Sequence, residues 1–288
     1  MTDEDPSCVA RRRSLDYRGM TGLTSPTPVG REAIAAYLEE ELLSGRLPGG
    51  MKLPSERQLA VRLGVSRPVV REVLRTLAER GLIEVSPGRG AYARDVQTAD
   101  IAEPMAKMYR RRNATTRDLV EARMMLECEA SAIAAERATP QDADELDVAL
   151  ARIEKATDII ERARADVAFH ARIARASGNP VIEAMFASIT GLAFEHMLRS
   201  HADTQIASEA HPFHVKVVEA IRSKDSAGAR QAMRDHLAVA TRRYGEDLNL
   251  AVEQLARREL DRMQLPDAVK ATLLGEGRAS DPAESDGA

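Results

Sequence analysis

Four side chains in the second half of the sequence have the chemistry of metal ligands. Asp166 and His170 are four residues apart, so both project from one face of a helix. His214 is predicted to open a later helix, and His236 lies in the next one, 22 residues further on. Three imidazoles and one carboxylate can hold a divalent metal ion with open coordination positions, zinc being favoured over nickel or manganese. The pattern alone leaves a second interpretation open, in which the histidines are hydrogen-bonded core residues.

A second group of residues has the chemistry of DNA recognition. Ser55, with Gln58 three residues later, forms a capping box that starts one short helix, and Gly64 ends that helix. Ser66 is placed to cap a second helix, with Pro68 in the first turn, where a missing amide proton costs nothing. Two short helices joined by a tight turn predict a helix-turn-helix, whose second helix reads the major groove.

Arginines are grouped near the start of that second helix. Arg67, Arg71 and Arg75 lie on or beside the outer face, where a recognition helix meets base edges. The guanidinium fork matches the two major-groove acceptors of guanine. From Lys52 to Arg94, nine Lys or Arg against four Glu give a net charge of +5, in a chain of net charge -4, so the basic charge is local. The alternative is a solvated face on which these arginines only pair with nearby acidic residues, namely Glu56, Glu72 and Glu79.

The segment that follows predicts a β-hairpin wing. Residues 82–94 contain two short alternating runs around a Pro-Gly-Arg-Gly turn. Glycines on both sides of Arg89 let the backbone approach a partner closely while the side chain reaches out, as a minor-groove probe would. Apolar residues at helical spacing within residues 31–44 add a first helix and complete a three-helix winged domain.

Residues 31–94 resemble the DNA-binding domain of the GntR family of bacterial transcription regulators. The family pattern of Leu-Pro-Ser-Glu-Arg, Leu-Gly-Val-Ser-Arg, Val-Arg-Glu and Leu, then Gly-Leu-Ile and a glycine-rich wing, runs through the segment with family spacing. Two departures lie in the wing, where Ser86 and Ala91 replace a residue that is often basic and a Thr. The resemblance implies contacts to bases, to a phosphate and to the minor groove, made respectively by Arg57, Arg67 and Arg71, by Ser66, and by Arg89.

Residues 101 to about 245 resemble the ligand-sensing FCD domain of the FadR-type subgroup. The pattern Asp-x-x-Phe-His and Asn-Pro, then His-x-x-x-Val-x-Ala-Ile and Ala-x-x-x-Met-x-x-His-Leu, is present in full. In that register the family's four metal positions are occupied by Asp166, His170, His214 and His236. His211 departs from the pattern, since it lies one helical turn before His214, where it could compete with that ligand or support it.

By the same resemblance, Arg123 lines the pocket of the FCD domain. Its planar fork would pair with a carboxylate whose other oxygens fill the open metal positions, so the implied effector is a small organic or sugar acid. The alternative is a salt bridge within the protein, to Glu127 or Glu121. His196 and His201 are assigned no role.

Length and composition agree with two domains. The chain has 288 residues, 44% of them hydrophobic, only 3% aromatic and no Trp. We predict a mostly α protein, with an N-terminal winged helix-turn-helix followed by an all-α bundle of six or seven helices. The predicted organisation is a disordered arm (1–28), the winged domain (29–95), a linker (96–100), the FCD-like domain (101–263) and a flexible tail (264–288).

Two classes of function fit these features. The first is a homodimeric regulator, a repressor, that binds an inverted-repeat operator and changes its DNA affinity when metal and effector bind. The second is a metal-dependent enzyme, which the sequence disfavours because a catalytic domain has no use for a winged helix and no general base is evident beside the metal set. With no apolar run near the roughly 20 residues of a membrane span and no signal peptide, a cytoplasmic location is predicted.

Overall fold

The computed structural model of the protein describes residues 30–95 and 99–275. These residues form two compact units, one on either side of the boundary between residues 96 and 97. The predicted N-terminal arm, most of the predicted linker and the end of the predicted tail lie outside the described residues.

The first unit is a three-helix winged domain. Its second helix begins at the predicted capping box: the Ser55 hydroxyl accepts the amide proton of Gln58, whose side chain accepts the amide proton of Ser55. Gly64, with a φ of 65°, takes the left-handed conformation that ends the helix. Apolar residues from all three helices and both strands pack into one core. The elements are α1 (Arg31–Leu43), α2 (Glu56–Leu63), α3 (Arg67–Glu79), β1 (Ile83–Ser86) and β2 (Gly90–Ala93).

The two strands form the wing. They pair antiparallel, with Ile83 opposite Ala93 at the base and Ser86 opposite Gly90 at the tip. Gly88 and Gly90 have backbone φ values of 72° and 105°. Residues with a Cβ adopt such values only under strain, so the turn favours glycine at both positions. Arg89 is thereby held at the end of the hairpin.

The second unit is helical throughout its described residues. Several of its helices begin at N-cap residues of types that favour this position. Examples are the capping boxes of Thr115 and Thr139 and the Asn179 cap before Pro180. A 3₁₀ helix, Gly245–Asn249, follows α10. The α-helices are α4 (Ala99–Arg111), α5 (Thr116–Arg137), α6 (Pro140–Lys155), α7 (Ile159–Ala176), α8 (Pro180–Ala202), α9 (Thr204–Arg222), α10 (Ser226–Tyr244), α11 (Val252–Arg262) and α12 (Asp267–Leu273).

The predicted fold class is confirmed, and the helix count is refined. The helices α4 to α10 correspond to the predicted bundle of six or seven, and α11 and α12 extend it. One helix junction has a weak signal in the sequence: α6 ends at Lys155 and α7 begins at Ile159, with the Asp158 side chain accepting the amide proton of Glu161. That junction contains neither glycine nor proline, so it lacks the usual punctuation of a helix end.

Six helices of this unit, α5 to α10, line its main cavity. The helix α10 packs against α5 and α9, and α7 packs against α5, α6 and α8. The aromatic ring of Phe169 is fully buried among aliphatic side chains such as Ile173, Val217 and Met233. This apolar floor fixes the spacing of α7, α9 and α10, which carry the predicted metal ligands.

A backbone connection ties the C-terminal part of the unit to the start of α5. The amide of Thr116 donates to the carbonyl oxygen of Leu250 at 2.9 Å, and the amide of Val252 donates to that of Ala114 at 3.0 Å. The hydroxyl of Thr116 also donates to Leu250, across 134 residues of sequence. The helices α5 and α11 are therefore anchored to each other at their N-terminal ends.

The helix α8 is long and apolar enough to cross a membrane by length and composition alone. It is nevertheless a core helix of this unit, because 50% of its most apolar window is buried inside the protein. Its polar side chains Glu195, His196 and His201 are buried in the protein interior.

The prediction of a flexible tail over residues 264–288 is wrong for the first part of that segment. Residues 267–273 form α12, and Leu274 is completely buried. Leu274 packs with Leu260 of α11 and Leu198 of α8, so apolar burial holds this segment to the bundle. The sequence pattern missed it because a seven-residue helix offers only two turns of periodicity.

Replacing Leu274 by Ala should therefore lower the free energy of unfolding by about 2–5 kcal/mol, the cost of emptying a buried leucine site. The measurement is denaturant unfolding of the full chain. Val269→Ala, at a position that is 41% exposed on the same short helix, is the matched control and should change stability by under about 1 kcal/mol. Equal stability of L274A and wild type would mean that the segment does not pack in solution.

Candidate functional site

The predicted recognition surface lies at the start of α3. Arg57, Arg67 and Arg71 are all exposed, with 62% of the Arg67 side chain and 65% of the Arg71 side chain accessible. Ser66 occupies the N-cap position of α3, but its hydroxyl makes no capping hydrogen bond. The residues expected to contact bases and phosphate are therefore all accessible to solvent.

Glu56 binds the arginines of this surface within the protein. Both Nε and Nη2 of Arg71 donate to its two carboxylate oxygens at 3.0 Å, and Arg67 Nη2 lies 3.9 Å away. The hydrogen bond from Arg71 lowers the pKa of the Glu56 carboxyl. Arg75 likewise pairs with Glu72 at 3.1 Å. The pairing that the sequence left open is thus present, but exposed pairs of this kind contribute little to stability and exchange readily.

Arg89 lies at the tip of the wing with its side chain exposed. Its amide donates to the carbonyl oxygen of Ser86 at 3.0 Å, and the Tyr92 hydroxyl donates to the carbonyl oxygen of Arg89 at 3.4 Å. The backbone of Arg89 is thus held from both sides, while its side chain is accessible to solvent.

In the second unit, three histidines from three helices meet in the interior. His170 of α7, His214 of α9 and His236 of α10 are buried, and one ring nitrogen of each lies within 4.8 Å of those of the other two. The rings of His214 and His236 are centred 4.1 Å apart. His214 does not open its helix, as the sequence suggested, but lies in the middle of α9, because that helix starts at Thr204 and continues through Pro212.

Asp166 lies one turn before His170 and joins this cluster. Its Oδ1 is 3.3 Å from Nε2 of His170 and 3.1 Å from Nε2 of His214. Its Oδ2 accepts a hydrogen bond from Nε2 of His201 at 2.9 Å. The structure therefore brings together the four side chains singled out in the sequence, although Asp166 contacts only two of the three histidines directly.

The histidine nitrogens are poorly satisfied by the protein itself. Nδ1 of His214 and Nδ1 of His236 are buried without a hydrogen-bond partner among the described residues, whereas the other nitrogens of His170 and His214 lie beside the carboxylates of Glu127 and Asp166. Buried polar atoms are almost always bonded, so a core of merely structural histidines would satisfy these nitrogens. A divalent metal would use these lone pairs, and the donor set fits zinc, nickel or manganese.

The protonation states of these histidines and of Asp166 are also compatible with metal binding. Burial lowers the pKa of both His214 and His236, which keeps these rings neutral. Burial also opposes charge on Asp166, but His214 and the hydrogen bonds from neighbouring histidines outweigh it, so the Asp166 pKa lies well below its usual value. For His170, Glu127 and Asp166 overcome the effect of burial and raise the pKa. Two neutral imidazoles and an ionised carboxylate are thus available to a metal at neutral pH.

A buried ion pair supports the cluster from α5. Arg123 Nε donates to Glu127 Oε1 at 2.6 Å, and both side chains are about 2% exposed. Glu127 Oε2 lies 2.5 Å from Nδ1 of His170, which places a carboxylate behind that ring. Burial raises the pKa of Glu127, but Arg123 and His170 outweigh that effect and lower it to about 2. Of the two roles considered for Arg123, the internal salt bridge is therefore present, and Arg123 also lines the cavity.

A cavity of about 420 Å³ adjoins the histidine cluster. Arg123, Asp166, His214 and His236 are among its lining residues, together with apolar residues of α8, α9 and α10. This volume falls within the range of small-molecule sites. His211 also lines the cavity, but its side chain is 40% exposed and pairs with Glu154 at 3.3 Å, so it lies outside the cluster of three histidines.

Two residues of this site, His196 and His201, were assigned no role from the sequence, and Glu127 was considered only as a salt-bridge partner of Arg123. His201 fixes Asp166, Glu127 contacts His170, and His196 Nδ1 lies 3.3 Å from Nη1 of Arg123. Glu127 carried a usable signal, since it follows Arg123 at the i, i+4 spacing of a helical ion pair. His196 and His201 carried none, because their role depends on which helices are neighbours in space.

The chain matches two family models, the FCD domain over residues 118–239 and the bacterial regulatory proteins of the gntR family over residues 31–92. It is 30% identical to the Glc operon transcriptional activator of Escherichia coli K12, over 78% of this chain and 92% of that protein. It is 32% identical to the HTH-type transcriptional regulator Mce2R of Mycobacterium tuberculosis, over 74% of this chain and 92% of that protein. Among solved structures, the GntR protein of Streptococcus agalactiae matches with a TM-score of 0.60 and 29% identity, over 74% of this chain and 100% of that one.

The geometry of the buried ion pair gives a stability prediction. Glu127→Gln leaves the Arg123 guanidinium buried without a counter-charge, and we expect the free energy of unfolding to fall by about 3–5 kcal/mol. The measurement is denaturant unfolding in the presence of a chelator, so that metal does not contribute. Glu121→Gln, an exposed position on the same helix, is the control and should be nearly neutral. A loss below about 1 kcal/mol in E127Q would show that the ion pair is not essential to the fold.

Proposed function

Because the chain belongs to the GntR family of bacterial transcription regulators and carries an FCD domain, we propose that it represses transcription in response to a small acid held at a metal. It is a DNA-binding regulator and not an enzyme. The observation that supports metal and effector binding is the buried cluster of His170, His214 and His236 beside a cavity. In this proposal residues 29–95 bind DNA, residues 101–263 sense the effector, and the protein acts in the cytoplasm.

For DNA binding we assign base contacts to Arg57, Arg67 and Arg71, a phosphate contact to Ser66, and a minor-groove contact to Arg89. Their exposure at the start of α3 and at the wing tip supports these roles. Two copies of the winged domain in a homodimer would read the two halves of an inverted repeat. Binding would exchange the Glu56 carboxylate for base or phosphate acceptors, which the exposed geometry of the pair permits.

For metal binding we assign His170, His214, His236 and Asp166. A metal bound there would supply Lewis acidity and an open position for a ligand oxygen. The protein's own contribution is to orient the rings, through Glu127 behind His170 and through His201 on Asp166. We favour zinc because imidazole ligands suit it well, and elemental analysis distinguishes it from nickel and manganese.

For the effector we propose a small organic or sugar acid in the cavity. One of its carboxylate oxygens would take the open metal position, and Arg123 lines the same cavity. Such a ligand would contact α5, α7, α9 and α10 together, and so favour one arrangement of these helices. The resulting shift would change operator affinity, and we propose release of DNA. Since one relative is named an activator, the sign is to be measured in an operator-binding assay with added acid.

The assignment of the recognition arginines predicts a loss of sequence discrimination. Arg67→Ala or Arg71→Ala should cost about 1–3 kcal/mol per lost base contact and narrow the difference between operator and mismatched duplex. The measurement is fluorescence anisotropy with both duplexes at one salt concentration. Arg80→Ala is the control, because this exposed arginine lies past the C-terminal end of α3 and pairs with Glu39. Unchanged discrimination in R67A and R71A would remove both residues from base recognition.

The metal proposal predicts separable functions. The double variant His214→Ala and His236→Ala should lose the bound metal by elemental analysis and lose the effector's influence on operator binding, while still binding operator. His211→Ala is the control and should keep its metal, since His211 lies outside the cluster. Full metal content in the double variant would show that His214 and His236 are not metal ligands. A metal-free double variant that still responds to the acid would mean that the metal is only structural.

A further inference from the structure

The cavity contains a second arginine that the proposed function does not use. Arg162 of α7 lines the cavity and is partly buried. Its Nη2 donates to the carbonyl oxygen of Ala156 at 2.9 Å, which holds the side chain in place. The structure gives it no acidic partner within 4 Å among the described residues. A guanidinium that is held in a cavity without a counter-ion is suited to an anionic ligand.

The other charges around the cavity are already matched. Arg123 is neutralised by Glu127, and a divalent metal would be half neutralised by Asp166. One carboxylate of a ligand would complete that balance at the metal. Glu154 also lines the cavity and, with Asp166, is one of two acidic residues among its described lining. It pairs with His211 at 3.3 Å rather than with Arg162. The positive charge of Arg162 is therefore left for a second acidic group of the ligand.

The position of Arg162 sets the length of such a ligand. Arg162, Asp166 and His170 follow one another at intervals of four residues, so they share one face of α7. Arg162 is one turn further from the histidine cluster than Asp166, about 6 Å along the helix axis. On α9, apolar Ala210 and Ala207 lie about one and two turns from His214 and line the same cavity. The wall beyond the metal end thus includes an apolar stretch that would suit methylene groups.

We propose that the effector carries two acidic groups, one at the metal and one at Arg162, and is a short dicarboxylic acid of roughly four to six carbons. This inference rests on the proposed metal and effector site and names the class of acid that it takes. Arg162 is a specificity residue in this assignment: it selects a second acidic group and does not affect how the first one binds the metal.

Two matched pairs of acids test the assignment. Malate and 2-hydroxybutyrate differ only in a terminal carboxylate, as do 2-hydroxyglutarate and 2-hydroxyvalerate. Isothermal titration of the zinc-loaded full chain should show binding of at least one diacid about tenfold or more tighter than its monoacid partner, as expected for a charge-assisted pair. Arg162→Gln should remove this preference and leave monoacid affinity unchanged. Arg162→Lys, which keeps the charge, should retain part of it, and Arg164→Gln, an exposed neighbour on α7, should retain all of it.

The possible failures have different meanings. Equal affinity of wild type for both members of each pair would overturn the role of Arg162 while the effector site stands. If R162Q loses affinity equally for the diacid and the monoacid of a pair, the role of Arg162 is also overturned, because Arg162 would then support the cavity in general. If zinc-loaded wild type binds none of the four acids, the proposed effector site fails together with this inference. Circular dichroism of R162Q confirms that the variant is folded.

Discussion

The interior of the helical unit is organised around buried charge, and the pair of Arg123 and Glu127 is the interaction on which the site depends. A charged group removed from water is costly unless it is paired, and Arg123 has its partner one turn along the same helix, α5. Glu127 of that pair also contacts His170 of α7, and Asp166 links His170 to α8 through His201. The proposed metal ligands are therefore oriented by a chain of polar contacts, while the apolar residues around Phe169 set only the spacing of the helices.

The two units use electrostatics in opposite ways. On the winged domain, the ion pairs of Arg67 and Arg71 are exposed, so water already compensates the charges and exchange of Glu56 for a nucleic acid costs little. In the helical unit, the charges are shielded from water, so each contact is strong and each missing partner is costly. The exposed arginines of the winged domain are suited to reversible exchange of one acidic partner for another. The buried charges of the helical unit are suited to discrimination between small ligands.

Much of the fold could be predicted from local signals in the sequence. The Ser55 and Thr139 capping boxes, the Asn-Pro start of α8 and the glycines of the wing each specify a boundary with a physical cause. The junction of α6 and α7 and the short helix α12 have only weak signals, because neither has strong punctuation or a long period. The four proposed metal ligands were predicted from an i, i+4 pair and a family resemblance, and the structure brings their side chains together. Their supporting partner His201 was not predicted, since spacing along a chain does not reveal which helices become neighbours.

The backbone connection between Thr116 and Leu250 bears on the order in which the molecule is completed during synthesis. All described elements of the winged domain lie before residue 96, whereas the first turn of α5 bonds to a residue 134 positions later. Domains of a nascent chain fold in the order in which they leave the ribosome, and long-range contacts form slowly. A newly made chain therefore completes its DNA-binding domain before its second, helical domain is finished.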